Sequence, residues 1–197
     1  MSNLATHDKS QQSARAFRTI MNAMVRPGQV AVLPLLEYGV GLALPTSMTV
    51  LLSLCDHLTT IYLAPSLTCP ALVKALRFHT GTRISDDSTV ADFALVQASG
   101  AHIGLQQWKC GTHEYPDRST TLIVQTPSLA DGVELDFSGP GMKDTQRVRM
   151  AGVDVNFWSQ RAEINASYPL GLDFIFVTET EILGCPRTTR VATFGGG

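Results

Sequence analysis

Ala91-Asp92-Phe93-Ala94-Leu95-Val96-Gln97 and Thr120-Thr121-Leu122-Ile123-Val124-Gln125 are the two stretches that decide the fold. Neither alternates cleanly between apolar and polar residues. A strand with one wet face alternates, whereas a strand covered on both faces reads as a continuous apolar run. Residues 172–177 (Leu-Asp-Phe-Ile-Phe-Val) repeat the pattern. Three buried strands are therefore expected.

Working outward, residues 59–63 (Thr-Thr-Ile-Tyr-Leu) have strand composition and stop before Pro65. Residues 69–78 form a short helix candidate with Pro70 in the first turn, where a missing N–H costs nothing. Pro45-Thr46-Ser47 opens an apolar segment through Cys55 that is too dense for a surface helix. Residues 133–137 and 147–151 are expected to form a hairpin around Ser138-Gly139-Pro140-Gly141, and residues 155–166 a helix. Residues 29–36 read as extended and 111–118 as a polar loop, while 103–109 stay ambiguous.

Near the start, Ala14, Phe17, Ile20, Met21 and Met24 recur at helical spacing from a cap at Ser10 or Ser13. Arg26-Pro27-Gly28 ends that helix. Residues 1–10 are expected to be a mobile polar leader and 192–197 a flexible glycine tail. Buried strands interspersed with helices place residues 11–191 in a single α/β domain, with helices on both faces of a mixed sheet.

Composition narrows the function. The chain has 197 residues, about one domain's worth. Charged residues make up 16% where a soluble protein typically carries about 25%. That deficit suggests apolar surface hidden in an oligomer or complex. With a net charge of −2, no global field exists to hold nucleic acid or an anionic membrane. Cys55, Cys69, Cys110 and Cys185 are scattered without metal-ligand spacing, so free thiols in a reducing cytoplasm are expected. No apolar run approaches the ~20 residues of a membrane span.

No Gly-x-x-x-x-Gly-Lys, His-Glu-x-x-His or Gly-x-Ser-x-Gly occurs, and Gly39-Val40-Gly41 lacks the third glycine of a dinucleotide turn. Lys9, Lys74, Lys109 and Lys143 are the whole lysine complement, and none stands in a Schiff-base context. No cofactor and no metal are expected.

Eleven arginines against four lysines give the one positive pattern. Arginine presents a planar fork to phosphate or carboxylate. Arg26 stands in a Pro-Gly turn, Arg77 beside His79, and Arg187 and Arg190 flank Thr188 and Thr189. Arg26, Arg77, His79 and Arg187 are the candidate anion-binding set. Each arginine has a plainer reading as a helix C-cap or as the partner of Asp56, Asp92 or Asp173. His113 sits in the loop His113-Glu114-Tyr115-Pro116-Asp117, where metal binding would need further ligands and a solvated turn is the plainer reading. The catalytic residues are unknown at this level.

The run Phe17-Arg18-x-Ile20-Met21-x-Ala23-Met24-x-Arg26-Pro27-Gly28 resembles the N-terminal motif of the H subunit of the bacterial carbon–phosphorus lyase (phosphonate utilisation) system. Arg77-Phe78-His79-Thr80-Gly81, Ala91-Asp92-Phe93-Ala94 and Tyr115-Pro116 with Ser119-Thr120 follow in the same order. Gly139-Pro140-Gly141, Tyr168-Pro169-Leu170-Gly171-x-Asp173 and Pro186-Arg187-Thr188-Thr189 complete it. Met142 and His57-Leu58 depart from the family pattern.

That resemblance implies a three-layer α/β/α sandwich similar to pyridoxal-dependent transferases, without their cofactor site. It implies a cytoplasmic homodimer that joins the G, I and J subunits of the core complex. The wider pathway transfers an alkylphosphonate to the ribose C1 of a purine nucleoside triphosphate, and a radical subunit then cleaves the carbon–phosphorus bond. The expected role is an assembly or support subunit with an anion pocket for phosphonate or nucleoside triphosphate. Alternatives are a stand-alone transferase or hydrolase using His79 or His113 on a small phosphorylated substrate, and a scaffold without ligand.

Overall fold

In chain order the elements are α1 (Ser2–Val25), β1 (Ala31–Val32), α2 (Pro45–Leu54), β2 (Thr60–Leu63), α3 (Pro70–Thr80), β3 (Arg83–Ser85) and β4 (Phe93–Gln97). They continue with β5 (Thr121–Gln125), β6 (Val133–Ser138), β7 (Gln146–Met150), α4 (Val155–Asn165), β8 (Asp173–Val177), β9 (Glu181–Cys185) and β10 (Arg190–Thr193). The computed structural model describes residues 2–36, 39–98 and 104–193. The expected glycine tail therefore lies mostly outside the described residues.

The two deciding stretches are neighbouring parallel strands in register, Leu95 beside Ile123. The third stretch continues the row with Ile175 beside Ile123. Among the described residues the large sheet runs β1-β9-β8-β5-β4-β2-β3. Strands β3, β2, β4, β5 and β8 are parallel, and β9 and β1 add an antiparallel edge. The sheet is mixed, as expected.

Side-chain alternation sends each strand into two different apolar cores. Ile61, Leu95, Ile123, Ile175 and Ile182 face one core with Ile20 of α1, Leu51 of α2 and Leu72 and Leu76 of α3. Ala94, Leu122, Val124, Phe174, Phe176 and Leu183 face the other. Both faces are apolar, which is why the sequence shows no alternation. Phe157 and Phe176 each lie 5.1–6.1 Å, centroid to centroid, from Trp158, from Phe174 and from one another. Burying each such ring contributes ~2 kcal/mol.

The second face corrects the expected architecture. It is covered by α4 together with a three-stranded antiparallel sheet, β10-β6-β7, rather than by helices alone. The residues of β6 and β7 account for this. Leu135, Phe137, Val148 and Met150 point into the core. On the outer face Arg147 pairs with Glu134 at 3.3 Å and with Asp136 at 3.2 Å, and Arg149 pairs with Glu134 at 3.2 Å. A sheet with one dry and one wet face serves as an outer layer.

Helix α1 differs from expectation twice. It begins at Ser2 rather than near Ser10, so a helix occupies the segment read as a mobile leader. Its buried face is Ala16, Ile20 and Ala23, while Phe17 is 45% exposed. The cause is close approach to the sheet. A Cβ on Gly184 of β9 would overlap the Ala23 carbonyl, so only small residues fit at the crossing and the larger methionines flank it. Residues 105–107 form a short 3-10 turn, which settles the described part of the ambiguous segment. The strands β3, β9 and β10 carried no sequence signal strong enough to assign.

Candidate functional site

Five motif segments meet at one corner of the molecule, beside the amino end of β8. The turn Gly139-Pro140-Gly141 closes the β6–β7 hairpin and wedges between two chain segments. A Cβ on Gly141 would lie 2.6 Å from the Val25 carbonyl oxygen, and one on Gly139 would lie 2.8 Å from that of Thr188. Gly141 also has φ +83°, a conformation that disfavours any other residue. Arg26-Pro27-Gly28 and Pro186–Thr189 are thereby brought to opposite sides of this turn.

Arg187 ties the corner together. Its backbone N–H donates to Asp173 Oδ1 at 2.7 Å, and its Nη2 reaches Asp173 Oδ2 at 2.5 Å. Nη1 donates to the carbonyls of Pro116 at 2.5 Å and Pro169 at 3.4 Å, and Nη2 also donates to Ser119 Oγ. One guanidinium thus joins the Tyr115-Pro116…Ser119, Tyr168–Asp173 and Pro186–Thr189 motifs. The side chains of Arg187 and Asp173 are only 13% and 18% exposed. The plainer reading, in which Arg187 pairs with Asp173, is what the structure shows.

A cavity of about 740 Å³ opens at this corner. Its walls include Gly139, Pro140, Tyr168 and residues 187–191, with Arg161 and Asn165 contributed by α4. Asp154 caps α4 by accepting the Phe157 N–H at 2.8 Å, and Arg161, farther along the helix, faces the turn between β9 and β10. Arg161 Nη2 donates to the carbonyls of Pro186 at 2.9 Å and Thr189 at 3.0 Å. Its guanidinium also lies 5.7 Å from the Phe174 ring centroid. Asn165 Nδ2 donates to the Arg187 carbonyl at 3.2 Å, and its Oδ1 accepts the Leu172 N–H at 3.3 Å.

The four residues of the expected anion set do not form one site. Arg77 and His79 are exposed at the C-terminal end of α3, His79 edge-on to Phe78 at 5.0 Å. They lie beside β3, four strand spacings from β8, or about 19 Å. Arg26 is exposed at the end of α1, behind the glycine turn and outside the cavity wall. Only Arg187 lines the cavity, and its charge is matched by Asp173. His113 is exposed in its loop and is not part of the cavity wall, although Pro116 of the same loop accepts from Arg187.

Sequence reading missed Arg161 as a cavity residue, and it noted Arg190 beside Thr188 and Thr189 without including it in the candidate set. Arg161 sits in a helix of mixed polarity where nothing marks it as buried, and Arg190 opens a strand whose pairing with β6, Arg190 beside Ser138, is long-range in the chain. Asp92, inside another motif, is structural. Its Oδ2 accepts the Thr60 N–H at 2.8 Å and its Oδ1 meets Lys109 Nζ at 2.5 Å.

Three of the four thiols are held in the protonated form by burial. Burial pushes Cys55 up to about 12 and Cys185 up to about 11, and it also raises Cys110. Among the described residues, no group of three or more His, Cys, Asp and Glu is placed to hold a metal, and no helix is long and apolar enough to cross a membrane.

Residues 5–192 match the family model described as "Bacterial phosphonate metabolism protein (PhnH)". The chain is 33% identical over 180 residues to the alpha-D-ribose 1-methylphosphonate 5-triphosphate synthase subunit PhnH of Rhizobium meliloti (strain 1021). That match covers 91% of this chain and 90% of the relative. It is 31% identical over 176 residues to the putative C-P lyase subunit protein HtxG of Stutzerimonas stutzeri, covering 89% of this chain and 84% of that protein.

Proposed function

This chain belongs to the bacterial phosphonate metabolism protein (PhnH) family, and from that premise we propose that it works as a subunit of a phosphonate-processing carbon–phosphorus lyase complex. The observation that carries the reading is the match along nearly the whole chain to two relatives named as subunits of such systems. The reaction served is transfer of an alkylphosphonate to the ribose C1 of a purine nucleoside triphosphate, before the carbon–phosphorus bond is cut. The chain supports that reaction by assembly and by holding a ligand, and it does not act as an independent catalyst. The position of His79 favours this, because that candidate base stands at the end of α3 beside β3, away from the arginine-lined cavity, and His113 is not part of the cavity wall.

The surface also favours assembly. Phe78 is 81% exposed and Leu58 is 71% exposed. They flank the place where the end of α3 meets the 56–59 turn, a Cβ on Gly81 lying 3.2 Å from His57 Cβ. Large apolar side chains left in water are typical of protein–protein contact. The partners are a second copy of the chain and the G, I and J subunits of the core complex, in the cytoplasm. The layered fold is read, with the family, as akin to pyridoxal-dependent transferases that have lost the cofactor site.

Growth tests the role. Deleting the gene should abolish growth on methylphosphonate as sole phosphorus source while leaving growth on inorganic phosphate intact. The wild-type gene supplied in trans should restore it. Unimpaired growth of the deletion strain on methylphosphonate would refute the reading.

A further inference from the structure

The cavity at the amino end of β8 has an unusual charge balance. Arg161, Arg187 and Arg190 all line it, and no acidic residue does. This stands out in a chain whose acidic residues outnumber its basic ones, 17 to 15. Arg187 is neutralised by Asp173, which leaves two guanidinium charges without a carboxylate.

Arg161 is the more informative of the two. It is 3% exposed. The ion pairs of the described residues are Lys109–Asp92, Arg147 with Glu134 and Asp136, Arg149–Glu134 and Arg187–Asp173, and none includes Arg161. Its Nη2 is satisfied by two carbonyls, but its Nε is buried without an acceptor and its Nη1 bonds no described residue. Thr189 Oγ1, in the same wall, is likewise buried and unpartnered. A buried cation lacking a counter-ion is costly, and an anion brought alongside removes much of that cost. Arg190, exposed at the rim, supplies the second positive charge and is free to swing onto a ligand.

We propose that this cavity is a binding site for a small organic phosphorus oxyanion, a phosphonate or a phosphate ester, held between Arg161 and Arg190. Two uncompensated guanidinium groups match a dianion, and arginine forks suit tetrahedral oxyanions. The volume exceeds what a bare ion fills and lies in the ordinary range for small-molecule sites. Pro140 and the Tyr168 ring give the organic part of the ligand a wall. The choice of phosphorus over carbon oxyanion rests on the proposed function, whereas the charge argument for an anion does not.

Calorimetric titration of the purified full chain with ATP, methylphosphonate, inorganic phosphate and acetate tests the site. Saturable binding of ATP or of methylphosphonate supports it, and which one binds identifies the source of the phosphorus group. Arg190→Gln, a surface change that leaves the fold intact, should weaken that binding by at least about tenfold. Arg77→Gln, outside the cavity, should leave it unchanged. Arg161→Gln should abolish binding, and its circular dichroism must match wild type for the result to count. Flat titrations with all four probes, equal binding of acetate, or undiminished affinity in Arg190→Gln would overturn the proposal. Flat titrations from a chain still required for growth on methylphosphonate would overturn this site alone and leave the subunit role standing.

Discussion

Arg187 and Asp173 form a largely buried pair, Nη2 to Oδ2 at 2.5 Å, that locks the exit of β9 to the entrance of β8. The same guanidinium also reaches the Pro116 and Pro169 carbonyls. Three separated sequence motifs are therefore one hydrogen-bonded knot, which positions the cavity wall.

Arg187→Ala should leave a buried Asp173 carboxylate unpaired and lower stability by about 3 kcal/mol. Arg187→Lys should recover little, because a single ammonium cannot span the four acceptors. Denaturant unfolding followed by circular dichroism measures both. A loss below about 0.5 kcal/mol for the alanine variant would place the pair among ordinary surface bridges.

Gly184→Ala should push α1 off the sheet, since the added methyl would collide with the Ala23 carbonyl. Because backbone rather than a flexible side chain is struck, the cost should be at least about 2 kcal/mol. Limited proteolysis reads the outcome directly. Faster cleavage within α1 is expected, and an unchanged digestion pattern would contradict the packing described.

Gln125 sits at the carboxyl end of β5 and fastens the loop that leads into α2. Its Oε1 accepts from the Leu44 N–H and Ser47 Oγ, each at 2.8 Å, and its Nε2 donates to the Leu42 carbonyl at 2.9 Å. Gln125→Leu should orphan these groups and destabilise by about 2 kcal/mol, while Gln125→Glu should retain the acceptor and lose the donor. Hydrogen exchange at Leu44 should quicken in the leucine variant. Protection equal to wild type would show that the loop is held by something else.

Cys55 and Cys185 should resist thiol reagents at neutral pH in the native state and react on unfolding. Their raised pKa values also set a pH dependence. Each thiol in the folded chain holds its proton above the pH at which the unfolded thiol releases it. Its stabilising contribution is thus complete below about pH 9 and declines as pH climbs toward 11 or 12. Replacing both by alanine should make the alkaline fall in unfolding free energy shallower. An identical slope would mean that these thiols are not the groups responsible.

Much of the large sheet is legible in the chain. Leu95, Ile123 and Ile175 lie in continuous apolar runs because each strand feeds two cores, and such runs need no long-range knowledge to recognise. The outer sheet was half legible. Its hairpin shows in Val133–Ser138 and Gln146–Met150, but β10 arrives from far along the chain and has no pattern of its own. The site was least legible. Arg187 could be singled out from its motif, yet whether it binds a ligand or Asp173 depends on folding, and Arg161 carries no local sign that its helix face is buried. Arg77 and His79 looked suitable by residue type and were separated from the rest by strand order alone.

The subunit role itself is tested most directly by recovering the tagged chain from cells grown on a phosphonate and measuring the native mass and composition of what comes with it. The account predicts the nucleosidase-like and iron–sulfur subunits of the carbon–phosphorus lyase system at fixed stoichiometry. Recovery of the chain alone, as monomer or homodimer, under the same growth conditions would contradict it.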